Sequence, residues 1–182
     1  KHIINRIIKN NYLKSKGIII NININLKSYS DYLIKLVENN FNNFGIIFSP
    51  DYGNDITPSF ILYNILKKNN INFEYILKLH TKTKDIWREF LINGLLNNNI
   101  SKYIDFMEDN DCYIIGSKMY LKYLDNTSLN MKILKSFYTD KEIKKSKFIG
   151  GTIFICNKNL FEKIYNKHED IIKKSFINCY YI

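Results

Sequence analysis

The side chains best able to do chemistry meet in one short junction. The stretch EYILKLHTKTKDIWREFL, residues 74 to 91, runs from an apolar segment into His80, Thr81, Lys82 and Lys84, and then into a helix-like segment that carries Arg88. The start of a helix offers unpaired N–H groups and the positive end of the helix dipole. Cations beside it add to the field, so such a junction suits a phosphate group. Asp85 competes for the same N–H groups as a cap. For Lys84 a solvated turn is the better account. For His80, a polar residue where a strand leaves the core, a hydrogen-bonding role is expected, either to a ligand or within the protein.

Two further junctions have unusual composition. In SPDYGNDITPSF, 49 to 60, Gly53 permits a tight turn, and Asp55 either contacts a nucleoside or caps the helix that starts near Thr57. In FIGGTIF, 148 to 154, the pair Gly150-Gly151 either lets a ligand approach the backbone or marks a bulge or bend entering a strand.

The elements that must position these groups are legible from periodicity. GIIININI, 17 to 24, predicts a strand, and DYLIKLVENN predicts a helix capped by Ser30 or Asp31, with Tyr32, Leu33, Leu36 and Val37 as its apolar stripe. FGIIFSP, 44 to 50, predicts a buried strand, and Thr57-Pro58 opens a helix with proline in its first turn. A strand over 74 to 79 is followed by a helix over about 85 to 97, with Trp87, Leu91, Gly94 and Leu95 on one face and Ile86 and Phe90 beside it. A second helix, SKYIDFMED, leads to the strand CYIIGSKMY. KFIGGTIFIC predicts one more strand, and a closing helix runs from 158 to about 174. Short apolar strands alternating with helices predict an α/β fold with a mostly parallel sheet flanked by helices, in which ligands bind outside the carboxyl ends of the strands.

Composition narrows the function classes. The 182 residues suit a single domain, 46% hydrophobic and 15% aromatic, with no Pro/Gly-rich linker and no internal repeat. The net charge of +10 and pI of about 9.3 allow anionic partners. The lysines are scattered, however, and Asn, Ile, Lys and Tyr are over-used everywhere, as in an AT-rich genome, viral or microbial. No nucleic-acid partner is therefore expected. Cys112, Cys156 and Cys179 are odd in number and widely spaced, as are His2, His80 and His168, which predicts reduced thiols in a cytoplasmic protein and no metal cluster. No apolar run has the length of a transmembrane segment. Lys1 in place of Met, and the apolar ending FINCYYI, lead to the expectation of a fragment of a longer protein with further domains.

Taken together, order and spacing resemble the rhamnan synthesis protein F family of glycosyltransferases. The residues that carry the resemblance are Asp51, Gly53, Asn54, Asp55, Pro58 and Phe60, then KLHTK with Trp87-Arg88 following, then Gly151, Thr152 and Phe154, across roughly 18 to 165. Asp51 stands where that family has Asn, and Asn54 where it has Arg. The resemblance implies a GT-A-like (Rossmann-like) fold that moves a sugar, rhamnose or another deoxysugar, from a nucleoside-diphosphate donor to a growing glycan acceptor. It implies His80 and Lys82 as catalytic residues, and Asp51, Gly53, Asn54, Asp55, Thr81, Arg88, Gly150 and Gly151 as substrate-binding ones. Many such enzymes hold manganese or magnesium on an Asp-x-Asp motif. His80-Thr81-Lys82 occupies that place here, so transfer without a divalent metal is favoured, with Lys82 neutralising the leaving diphosphate. Glu108, Asp109 and Asp111 are candidates for a general base. The competing expectation, which the two departures keep open, is an inactive module that binds a sugar nucleotide or glycan. A dehydrogenase is excluded by the lack of Gly-x-Gly-x-x-Gly after any early strand.

Overall fold

The structure, a computed structural model, describes residues 2–16, 18–25, 30–49, 56–80, 85–97, 99–117, 121–123, 135, 139–145, 147–149, 153–174 and 180–181. Two short helices open the chain, α1 (His2–Lys9) and α2 (Asn11–Ser15), followed by β1 (Ile20–Asn25), α3 (Asp31–Glu38) and β2 (Phe44–Ser49). The crossover through α3 makes β1 and β2 parallel, in register from Ile20↔Phe44 to Asn25↔Ser49. Ile22 and Ile24 of β1, Ile46 and Phe48 of β2, and Ile34 of α3 share one apolar cluster. Next comes α4 (Thr57–Lys68), with Pro58 in its first turn, where a missing N–H is harmless.

The remaining elements are β3 (Tyr75–Lys78), α5 (Asp85–Leu95), α6 (Ile100–Asp109), β4 (Ile114–Gly116), β5 (Leu121–Tyr123), α7 (Asp140–Lys145), β6 (Lys147–Ile149), β7 (Phe154–Asn157), α8 (Lys158–Lys167), α9 (Glu169–Lys174) and β8 (Tyr180–Tyr181). They build a three-stranded sheet in the order β3-β7-β4, a two-stranded pair β5-β6, and an antiparallel addition of β8 to β2.

The β3-β7-β4 sheet has helices on both faces. On one side Ile76, Phe154 and Cys156 meet Phe60 and Tyr63 of α4, Phe161 and Tyr165 of α8, and Ile172 of α9. On the other, Tyr75, Leu77, Ile115 and Ile155 meet Ile92 and Leu95 of α5, Ile100 and Met107 of α6, and Ile3, Ile7, Tyr12 and Leu13 of α1 and α2. Alternation along each strand divides the two sets, as the period of two requires. The fold is thus mixed α/β.

Several expectations are corrected. Among the described ladders only β1–β2 is parallel; β2–β8, β3–β7, β4–β7 and β5–β6 are antiparallel. The reason lies in the connections. β3 and β4, joined through α5 and α6, run in the same direction. Between β4 and β7, by contrast, the described elements include the antiparallel β5–β6 pair, and β7 starts beside the end of β4. The single strand expected over KFIGGTIFIC is two strands in two sheets, β6 and β7. The closing helix is interrupted at His168, which ends α8 with φ −127° and ψ 22°. The stripe of α3 turns inward at Val37, fully buried, while Tyr32 is 52% exposed. On α5 the buried line runs through Ile92 and Leu95, and Ile86 and Phe90 are exposed.

The last correction is directly measurable. Ile92→Ala, at a fully buried position, is expected to lower stability by about 2–5 kcal/mol, whereas Ile86→Ala on the same helix should change it by less than about 0.5 kcal/mol. Urea unfolding of the two variants checks this, and equal losses would place Ile86 in the core after all.

Candidate functional site

A single row of residues across the second sheet organises the candidate site. Lys78 of β3 and Gly116 of β4 both pair with Phe154 of β7. Because β7 is antiparallel to both neighbours, the carboxyl ends of β3 and β4 and the amino end of β7 emerge at one edge. His80 follows Lys78 by two residues there, Ser117 follows Gly116, and Ile153 precedes Phe154. Gly94 on α5 lies over the same region, since a Cβ added to it would stand 3.9 Å from Ser117 Cβ and Oγ.

Of the sequence-predicted residues, His80 is described and half-buried at this edge, and it is engaged within the protein. Arg88 lies in the first turn of α5; its side chain, like Thr81, Lys82, Gly150 and Gly151, lies outside the described residues. The register nonetheless brings their chain neighbours together: His80 leads into Thr81 and Lys82, and Ile153 follows the glycine pair. Asp51, Gly53, Asn54 and Asp55 also lie outside the described residues, between the end of β2 and the start of α4. Ile56 occupies the cap position of α4 and makes no side-chain cap bond.

Lys78 was not singled out from the sequence for a role. It is 6% exposed, a buried charged residue at the last ladder position of β3, and it too is engaged within the protein. The signal was available: a lysine inside the apolar run EYILKL fits the strand period but not the chemistry of a core.

The proposed bases fare differently. Glu108, Asp109 and Asp111 lie at the end of α6 and just beyond it, before β4 begins, which is the opposite edge of the sheet. There the Tyr75 hydroxyl donates to Glu108 Oε1 at 2.8 Å, and the Tyr113 hydroxyl donates to Asp111 Oδ2 at 3.1 Å. Asn157 accepts from the Leu160 N–H at 3.0 Å and caps α8. Strand direction separates these carboxylates from His80, so they are not bases for chemistry at that edge.

A contact absent from the sequence reading holds α5 from behind. Glu89 accepts from Arg6 Nη2 at 3.0 Å and lies 2.7 Å from His2 Nε2. Asn10 Nδ2 donates to the Asn97 carbonyl at 3.3 Å, just past the end of α5. Isoleucines at helical spacing in HIINRIIK were the available signal for α1.

Among the described residues, no group of three or more His, Cys, Asp and Glu side chains could hold a metal ion, and no helix is long and apolar enough to cross a membrane. Cys112 and Cys156 are free thiols. Burial pushes the Cys156 thiol up to about 12, which makes it inert as a nucleophile at neutral pH.

The far edge supplies a test of its own. Burial, and then the bond to Glu108, push the Tyr75 hydroxyl up to about 12. A raised phenol favours the fold fully below its ordinary value near 10, and that contribution is lost as pH rises towards 12. Glu108→Gln is expected to bring Tyr75 back towards the ordinary value, read from ring-carbon chemical shifts in an alkaline NMR titration. An unmoved Tyr75 would mean that Glu108 is not its partner in solution.

No protein-family model, curated protein or solved structure matches this chain, so the candidate site rests on its residues and their register alone.

Proposed function

We propose that the chain is a glycosyltransferase domain of GT-A-like fold that takes a nucleoside-diphosphate sugar as donor and a glycan as acceptor. The observation that carries this reading is the convergence at Phe154. His80 and Ile153, the described chain neighbours of two of the three junctions with suitable chemistry, stand at one sheet edge because Lys78 and Gly116 both pair with that residue, which supports the reading. The carboxyl ends of α/β strands are where such ligands bind.

In the proposed reaction the bond between the anomeric carbon and the diphosphate oxygen breaks, and its electron pair leaves with the diphosphate. The acceptor hydroxyl oxygen bonds to the anomeric carbon and gives up its proton, which the released diphosphate oxygen can accept. Lys82 stabilises the departing diphosphate by direct charge, which is the service a divalent metal performs on an Asp-x-Asp motif. His80 orients the sugar or diphosphate. Asp55 and its neighbours contact the nucleoside or sugar, and Gly150-Gly151 line the acceptor side. The far-edge carboxylates have no part in it.

Thermal shift with UDP-, dTDP- and GDP-sugars, in EDTA or with manganese, tests the proposal on wild type and Lys82→Ala. A donor at a hundred times its Kd should stabilise the protein by about 2.7 kcal/mol. Stabilisation in EDTA that Lys82→Ala removes, with turnover falling roughly 100-fold or more, is the expected result. Stabilisation only with manganese would remove the lysine-for-metal role. Binding without turnover would favour the inactive sugar-nucleotide-binding module, and no response to any donor would sink the transferase.

A further inference from the structure

We infer that the outer side of β4 is a docking site for an extended, basic segment of a partner protein, which joins the β3-β7-β4 sheet as a further strand beside β4. The inference is independent of the proposed transferase.

β4 is the last strand of its sheet, so only one of its two sides is paired. The Asn157 N–H donates to the Tyr113 carbonyl at 3.1 Å, and Ile115 lies opposite Ile155, which sets the phase of the ladder. In an antiparallel pair, residues that exchange hydrogen bonds alternate with residues that do not. Tyr113 and Ile115 therefore turn their backbone groups towards β7, and Ile114 and Gly116 turn theirs outward. Among the described residues only the Cys112 thiol reaches these outward groups, 3.4 Å from the Ile114 carbonyl, and a thiol is a weak donor.

Proteins commonly blunt such a side with lysine, proline or a bulge, because it invites another strand. The stretch CYIIGS, 112 to 117, carries neither lysine nor proline, and Gly116 leaves the backbone open to close approach. Tyr113, Ile114 and, on the preceding helix α6, Phe106 are exposed. The outer side thus offers unpaired backbone groups with apolar side chains nearby, which are what strand addition uses for affinity and specificity.

Charge selects the occupant. Residues 99–117 carry Asp105, Glu108, Asp109 and Asp111, all exposed, against Lys102 alone, in a chain of net charge +10. Asp109 ends α6 and Asp111 lies in the turn that feeds β4, so a strand that runs along β4 past its first residue meets them. The phenols that donate to Glu108 and Asp111 bring no positive charge to offset theirs. At physiological salt charges act over about 8 Å, so an incoming segment meets this acidic corner rather than the net charge of the chain. Lysine or arginine side chains alternating with apolar ones match both features.

The probe is a capped, fluorescently labelled peptide of alternating lysine and valine, followed by anisotropy. It is compared with a glutamate–valine peptide of the same length and with a lysine–valine peptide N-methylated at alternate residues, which cannot pair with a strand. In the protein, Ile114→Pro removes an outward N–H without breaking a bond to β7, and Asp105→Lys with Asp109→Lys reverses the corner. The folded wild type is expected to bind the lysine–valine peptide, less tightly as salt is raised. N-methylation, Ile114→Pro, the glutamate peptide and the charge reversal should each weaken binding by about tenfold or more. No binding by the folded wild type, binding indifferent to N-methylation, or equal binding of the glutamate peptide overturns the inference. Should Ile114→Pro fail to fold, the N-methylated peptide puts the same question to the wild-type chain. Self-association without peptide, abolished by Ile114→Pro, would assign the site to a second copy and overturn the basic partner.

Discussion

The antiparallel insertion of β7 between β3 and β4 is the constraint on which the candidate site depends. Neither β3 nor β4 pairs with the other; both are held by the backbone of a strand from late in the chain. That arrangement satisfies the N–H and C=O groups of short strands that could not stand alone. It also fixes which residues meet. A register shift of one residue would turn Cys156 and Phe154 from the α4 and α8 side to the α5 and α6 side and would move Lys78 out of its row. The two different apolar layers make such a slip expensive.

Those layers differ in kind. The α4–α8 side is aromatic: Phe60 and Phe161 have ring centroids 4.7 Å apart, and Tyr63 and Tyr165 are 4.9 Å apart. Its two phenols reach polar partners at the margin, Glu162 at 3.0 Å and Asn64 at 3.2 Å, so rings can be buried without stranding hydroxyls. Lys67 lies 5.6 Å from the Tyr165 ring centroid and covers the layer from outside. The α5–α6 side is aliphatic, built on Ile92, Leu95, Ile153 and Ile155. The ion pairs of α1 with Glu89 then fix α5 from its outer flank. The helix that follows the His80 junction is therefore held on two sides, by the sheet and by α1, and a junction next to a well-held helix is better able to present charges in a fixed geometry.

Local order was legible where one signal dominated. The alternation in INININ and the Thr-Pro opening of α4 identify β1 and the start of a helix to within a few residues. Strand direction was not legible, because short apolar segments read the same way in parallel and antiparallel sheets, and direction is decided by what lies between them. Gly150-Gly151 was read either as letting a ligand approach the backbone or as a bulge or bend entering one strand; the pair lies outside the described residues, between β6 and β7, which belong to two different sheets. For α5, helical periodicity pointed to a face through Trp87, Leu91, Gly94 and Leu95, with Ile86 and Phe90 beside it. Of these Leu95 is buried, together with Ile92, while Ile86 and Phe90 are exposed, because apolar residues surround the helix and period alone does not choose among them. The catalytic proposal was legible only as a pattern of types along the chain. What the structure adds is that His80 and Ile153, chain neighbours of two pieces of the pattern, stand at one edge, while Glu108 and Asp111, candidates for their place near a strand start, stand at the other.

The two ends of the β3-β7-β4 sheet have opposite economies of polar groups. Where β3 begins, carboxylates and amides are taken up locally: Glu108 by Tyr75, Asp111 by Tyr113, Asn157 by the first turn of α8, and Asn72 by Lys158 Nζ at 2.9 Å. The Lys158 N–H donates to the Glu74 carbonyl at 2.8 Å, and the Asn157 N–H to the Tyr113 carbonyl at 3.1 Å, so the backbone there is stitched across the strand starts. Where β3 and β4 finish, the row closes on Gly116, and His80 follows Lys78 by two residues. Strand polarity, set by the insertion of β7, is what puts these carboxylates at one end of the sheet and His80 at the other.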